Sequence, residues 1–189
     1  MRVTALVNQK GGCGKTTTAV HLASRFAAKG LRTVLLDLDP QGHATMAFGA
    51  PAPEKENSLG AVLSASGLEE TAVPLRNVLV QLTDGLHLGP SGAELVDLEA
   101  RLARATGGEE RLAEHLAPLS HEFDRVVVDA PPSLGLLTLN ALTAAHEAIV
   151  PVEPSLFAMH GLARLVELTR LLAGRNGHQV RIRILVNAY

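Results

Sequence analysis

Cysteine is nearly absent: Cys13 is the only one among 189 residues. That excludes an intrachain disulfide framework, a CxxC zinc site and an iron–sulfur cluster held by paired cysteines of one chain, and it fits a reducing, cytoplasmic compartment. An excess of positive charge is missing too. Lys+Arg 17 against Asp+Glu 19 leave a formal net charge of −2, so the whole chain is not the basic object expected of a dedicated nucleic-acid binder, and any such binding must come from a local patch. Long hydrophobic runs are also lacking. The longest nearly uncharged stretch, Ala130 to His146, contains Pro131, Pro132, Ser133, Thr138 and Asn140, which is wrong for a membrane span of roughly 20 apolar residues. The opening MRVTALVNQK runs straight into a strand pattern without a cleavable signal, and there is no internal repeat or low-complexity tract. What remains is a globular composition, 47% hydrophobic and 19% charged. Its length corresponds to one domain by the usual roughly 100–200 residues.

The apolar pattern alternates between two periods. Arg2 to Asn8 is a β-rich run that ends at a glycine cluster, after which Ala19, Leu22, Ala23, Phe26 and Ala27 recur at helical spacing until Gly30 stops them. RTVLLDL, Arg32 to Leu38, is a second strand whose unbroken apolar run predicts burial on both faces. Further strands are predicted at Leu86 to Leu88, Val126 to Val128, Ala148 to Val152 and Ile182 to Val186. Helical patterns separate them around Leu95/Leu98/Leu102, from Leu136 to Ala145 and from Leu156 to Ala173. This order predicts an α/β fold, a mostly parallel twisted sheet with helices on both faces. Gly49 to Asn57 reads as a surface loop, and Gly107-Gly108 as a break between two helical stretches. Arg181 to Tyr189 reads as a buried strand followed at once by the terminus, as if a longer chain had been shortened.

Three segments carry chemistry. KGGCGKTT, Lys10 to Thr17, meets the phosphate-loop pattern GxxxxGK[ST] only in part, but its GKT core follows a strand and opens a helix. Gly11, Gly12 and Gly14 let backbone N–H groups close on phosphate oxygens at a helix N-terminus; Lys15 can neutralise β- and γ-phosphate charge; the Thr16 hydroxyl, beside Thr17, can ligate Mg²⁺. A glycine turn that merely caps a helix is the plain alternative, yet such a turn does not require GKT. The second segment, LLDLDPQGHAT from Leu35 to Thr45, places Asp39 just past a strand end, where a carboxylate near Mg²⁺ and a γ-phosphate orients water. Asp37 joins that shell or serves the strand end. The third, VVVDAPPSLG from Val126 to Gly135, delivers Asp129 to the carboxyl edge of the sheet, where ligands bind in open α/β sheets; Pro131 and Pro132 stiffen the turn, and Gly135 is free to flex.

With its extra lysine, Lys10, at the start of the loop, KGGCGKTT resembles the deviant Walker A ATPases, the P-loop NTPase family that includes ParA/Soj, MinD, the nitrogenase iron protein and the arsenite pump. LLDLDPQGHAT is similar to that family's DxDPQGNAT segment, with His43 in place of asparagine. The lone cysteine speaks against the iron–sulfur members, and VPVEPSLFAMHGLARL with PPSLGLLTLNAL places the resemblance in the ParA/Soj branch. The resemblance implies that ATP and Mg²⁺ are the cofactors. It implies that Lys10 reaches the nucleotide of a second copy in an ATP-dependent homodimer. Asp39 positions the attacking water near Mg²⁺, Asp129 is the Walker B carboxylate, and Asn187 contacts adenine or is a turn residue. The loop from Lys10 through Gly11, Gly12, Cys13, Gly14, Lys15, Thr16 and Thr17 holds the nucleotide. The family implies a single P-loop ATPase domain over residues 1–189, without the C-terminal portion its members usually carry. The implied function is a slow, partner-stimulated ATP hydrolase that acts as a switch in plasmid or chromosome partitioning. Its partners are non-specific double-stranded DNA and a ParB-like adaptor, its location is the nucleoid, and no membrane is involved. The alternative readings are a positioning ATPase for a protein cargo, a biosynthetic ligase of the dethiobiotin or cobyrinate type, which shares the fold, and a scaffold that binds ATP without turnover.

Charge is uneven along the chain. Residues 1 to 163 carry 12 basic and 18 acidic side chains, whereas residues 164 to 189 carry Arg164, Arg170, Arg175, Arg181 and Arg183 against Glu167 alone. Such a patch suits sequence-independent contacts to DNA phosphates, with Arg164, Arg170 and Arg175 on or just beyond one helix as the favoured set; a solvated helix face is the alternative. Cys13, at a helix N-terminus inside the loop, is a candidate redox switch or simply a small residue that fits.

Overall fold

Seven strands form one sheet in the order β3-β4-β2-β5-β1-β6-β7 in the computed structural model, which describes residues 1–51, 53–67, 72–154 and 156–187; the side chains of 156–158 and 175–176 lie outside the description. The strands are β1 (Arg2–Leu6), β2 (Thr33–Asp37), β3 (Val80–Thr83), β4 (Leu86–Gly89), β5 (Arg125–Asp129), β6 (Glu147–Val152) and β7 (Arg181–Val186). All pairings are parallel except the hairpin of β3 with β4. The helices are α1 (Lys15–Ala28), α2 (His43–Ala47), α3 (Leu59–Leu63), α4 (Leu75–Val78), α5 (Leu95–Leu102), α6 (Arg111–Leu116), α7 (Leu136–Ala144) and α8 (Leu156–Asn176).

The period of two explains why the central strands read as unbroken apolar runs. Leu6, Leu35 and Val127 point to the face covered by α1, where they pack with Ala19, Ala23 and Leu88. Their neighbours Ala5, Val7, Val34, Leu36, Val126 and Val128 point to the other face and join Leu98, Leu112, Leu137 and Leu165 from the helices there. The central strands are therefore buried on both sides, as the sequence predicts for β2. Gly30 ends α1 as expected: it takes a φ of 78° and its N–H bonds the Ala27 carbonyl at 2.8 Å. Gly107 and Gly108 separate α5 from α6, also as expected.

Two elements differ from the sequence reading. β3 is not among the predicted strands because VQLT is short and mostly exposed; the Asp84-Gly85 turn, with Gly85 at φ 76°, was the available hairpin signal. β7 is not buried. It pairs with β6 on one side only among the described strands, and on its two faces Ile184, Leu185 and Val186 are 54%, 40% and 56% exposed. The expected surface loop at 49–57 contains a short 3-10 turn, Lys55–Asn57, and its residue 52 lies outside the described residues. Among the described residues no helix is long and apolar enough to cross a membrane.

The chain leaves β1 toward β2 on one side and reaches β6 on the other, with β5 inserted beside β1. The carboxyl ends of β1, β2 and β5 thus border the crevice at which open parallel sheets bind ligands.

Candidate functional site

The loop between β1 and α1 lies over this crevice. Gly12 and Gly14 have φ of 74° and 93°, a backbone region that disfavours any side chain. The Asn187 amide packs directly on Gly14, so that a Cβ there would have to push this side chain aside. Asn8 fixes the loop's entry by donating to the Pro151 carbonyl at 2.5 Å and accepting from the Lys10 N–H at 3.1 Å. Lys15 is only 7% exposed, and its Nζ donates to the Lys10 carbonyl at 3.1 Å, which folds the ammonium back under the loop. Cys13 is buried and its thiol points to the same carbonyl at 3.2 Å; an oxidant would meet it only through the loop. Lys10 itself turns outward and pairs with the Glu153 carboxylate just past β6.

Two carboxylates meet beneath the loop. The register pairs Asp37 with Asp129, and both share the parity of the α1 face. Asp37 accepts from the Thr45 N–H at 2.7 Å and the Thr45 hydroxyl at 2.8 Å, so its role is to hold the start of α2. Burial pushes its carboxyl up against the pull of those bonds. Asp129 has no such partner: both of its oxygens are buried without a hydrogen bond. Burial pushes its carboxyl up to about 7; the nearby Thr16 hydroxyl and Lys15 pull it down, while Asp37 and Asp39 push it further up. A buried carboxylate left this way is costly unless a cation or water takes its lone pairs, and the Thr16 hydroxyl is close by. These residues fit Mg²⁺, an ion that keeps several waters and takes one or two protein oxygens together with phosphates. Among the described residues no group of three His, Cys, Asp or Glu side chains could cage a metal alone, and a site of this kind does not need one.

Asp39 lies opposite the loop and is 7% exposed; its Oδ1 accepts the Gln41 N–H at 3.0 Å. Between them opens a cleft of about 420 Å³ walled by Gly11, Gly12, Gly14, Lys15, Thr16 and Thr17 on one side and by Asp39, Gln41, His43 and Pro132 on the other. A larger hollow of about 560 Å³ lies at the other end of the sheet, by Arg2, His146 and Arg181. It has neither the glycine loop nor the carboxylates, so the chemistry belongs to the smaller cleft.

The sequence-predicted residues thus separate into groups. Gly11, Gly12, Gly14, Lys15, Thr16, Thr17 and Asp39 wall the cleft, and Asp129 lies below it. Asn187 reaches the loop from the end of β7, where its Nδ2 donates to the Cys13 carbonyl at 3.2 Å. Arg164 and Arg170 are exposed on α8, but six residues apart on a helix they point about 120° away from one another and do not share a stripe. The Arg175 side chain lies outside the described residues. Gly135 has an extended backbone, and the Glu99 carboxylate, which accepts the Leu137 N–H at 3.2 Å, packs so close to it that a Cβ there would push the Glu99 side chain aside. Ser91, Glu99 and Glu153 border the site without having been read as part of it. The signal for Ser91 was its place in a Pro-Ser-Gly turn at the carboxyl end of a parallel strand.

A parallel sheet with a glycine loop, a buried lysine and an orphaned carboxylate at its carboxyl edge defines a P-loop ATPase. A family model described as an AAA domain matches residues 1–182. The chromosome-partitioning ATPase Soj of Thermus thermophilus is 42% identical over 190 residues, 100% of this chain and 70% of its own length. The chain belongs to the ParA/MinD-type P-loop ATPases, the family of the ParA and Soj partitioning proteins. Cobyrinic acid a,c-diamide synthase from Mycobacterium smegmatis, solved with bound ADP and magnesium, is similar with a TM-score of 0.90 at 35% identity, covering 100% of this chain and 75% of that one. A plasmid partition protein from Borrelia burgdorferi, 22% identical, shares the fold with a TM-score of 0.84 over 98% of this chain and 78% of its own.

Proposed function

We propose that the chain binds MgATP in the cleft, pairs with a second copy around it, and hydrolyses it slowly as a cytoplasmic, nucleoid-associated switch for plasmid or chromosome partitioning. Non-specific duplex DNA and a ParB-like adaptor are the partners of this reading. The observation that carries it is Asp129, buried and unpartnered between Lys15, Thr16 and Asp39 beneath a loop built to receive phosphates. Thr16, Asp129 and Asp39 are the residues that would hold Mg²⁺, which supplies charge neutralisation at the β- and γ-phosphate oxygens. The loop N–H groups orient the phosphates, and Lys15 leaves the Lys10 carbonyl for them. Asp39 holds the attacking water in line, acting by orientation, since a carboxylate near a cation is a weak proton acceptor. Lys10 exchanges Glu153 for the nucleotide of the second copy, a charge-assisted contact present only when ATP and dimer coincide.

The test is phosphate release from MgATP with and without duplex DNA, beside Lys15→Ala, which should lose nucleotide binding in calorimetric titration by at least about 100-fold. Near-unchanged affinity in that variant rejects the phosphate-loop assignment. A second reading, a biosynthetic ligase, is favoured by the 35% identity to cobyrinic acid a,c-diamide synthase. It requires phosphate release that depends on a small-molecule acid and an amine donor and ignores DNA.

A further inference from the structure

Asp39 and Thr45 bracket the segment that forms one wall of the cleft, and one residue from outside the segment grips both ends. Ser91, 5% exposed, follows β4. Its Oγ donates to the Asp39 carbonyl at 2.6 Å, and its N–H donates to Thr45 Oγ1 at 2.9 Å. Thr45 passes the contact on, donating its hydroxyl to Asp37 Oδ2, while Asp37 Oδ1 accepts the Asp39 N–H at 3.3 Å. The main chain of Asp39 is thereby held from both sides, its N–H by Asp37 and its carbonyl by Ser91. Gly42 packs beside Ser91 in the same segment, and its φ of 64° is what favours glycine there: a Cβ on it would make ordinary contact with Ser91 Cβ at 3.7 Å.

We infer that Ser91 is a positioning residue for ATP hydrolysis, acting through Asp39 by fixing the backbone that aims its carboxylate at the attacking water. The inference rests on the proposed role of Asp39 and adds to it a dependence on the turn between β4 and α5. Both polar groups of Ser91 are spent on the segment itself, its Oγ on the Asp39 carbonyl and its N–H on Thr45, and Ser91 is not among the residues that wall the cleft. Its removal acts on geometry, and a misplacement of about 1 Å suffices for a rate loss on the order of 10²-fold. Groups that work as a unit are also non-additive: once Asp39 is gone, its aim no longer matters.

The experiment compares the parent chain with Ser91→Ala, Asp39→Ala and the double variant. Single-turnover phosphate release, calorimetric affinity for MgADP and hydrogen exchange of residues 39–47 are measured on each. Ser91→Ala is expected to slow release by roughly 10- to 100-fold with MgADP affinity within about threefold of the parent. Amide exchange in 39–47 should accelerate while β1 and β5 stay protected, and the double variant should be no slower than Asp39→Ala. Parental release by Ser91→Ala while Asp39→Ala is slow overturns the inference and leaves the Asp39 role standing. Parental release by Asp39→Ala rejects that role and the inference with it. Additive losses in the double variant, or unchanged exchange in 39–47, reduce Ser91 to a packing residue. The exchange arm reads the clamp even where turnover is too slow to follow.

Discussion

Lys10 and Glu153 close an ion pair between the phosphate loop and the end of β6, across 143 positions of sequence. Their side chains are 46% and 29% exposed. A pair this wet stabilises by about 0–1 kcal/mol, so it can hold Lys10 in one place without preventing its transfer to a better anion.

Lys10→Ala should therefore leave ATP binding by the monomer largely intact and weaken ATP-dependent dimerisation. Glu153→Gln should do the reverse and shift the dimer midpoint to lower protein concentration by up to about fivefold, the equivalent of ~1 kcal/mol. Sedimentation with a non-hydrolysable analogue reads both; identical midpoints in all three proteins would remove Lys10 from the interface.

Asp39→Ala should still bind ATP through the loop, Thr16 and Asp129, hydrolyse it at least about 100-fold more slowly and accumulate the dimer, because orientation of water is the main thing lost. Single-turnover phosphate release with parallel sedimentation checks it. A dimer population no higher than the parent's would contradict the role.

Asp129 makes stability depend on pH in the nucleotide-free, magnesium-free protein. Its carboxyl is pushed up to about 7 by burial, from an ordinary value of 3.8. Between those values the folded state binds more protons than the unfolded state, so this group's contribution falls as pH rises from about 4 to about 7. Asp129→Asn should flatten that decline and raise Tm at pH 8 by several degrees, at about 2–4 °C per kcal/mol for a chain of this size. The same variant should lose magnesium-dependent nucleotide affinity. Thermal melts from pH 4 to 8 decide the first point; a profile unchanged by the substitution would mean that the carboxylate is not desolvated in solution.

Replacing Arg164, Arg170 and Arg175 by Glu should abolish DNA binding and leave the ATP-dependent dimer. Affinity for duplex in the parent should require ATP, since pairing two copies makes the second engagement intramolecular, and should fall with salt at a slope of roughly −0.9 per phosphate neutralised. Unchanged affinity across several salt concentrations would place the DNA contacts elsewhere. The spread of Arg164 and Arg170 around α8 adds that each single replacement should cost only part of the effect.

What the sequence determined by itself is whatever depends on neighbours along the chain. The strand, glycine loop and helix from Arg2 to Ala28 were legible because the turn geometry, the lysine and the helix start are consecutive residues. The strands β2 and β5 were legible because burial on two faces leaves an unbroken apolar run. Only the tertiary structure decided which distant groups complete the site. Ser91 lies 52 residues from Asp39, Glu99 lies 38 from Leu137, and Asn187 lies 174 from Cys13; each meets its partner because parallel strands bring their carboxyl ends, and the turns that follow, to one edge.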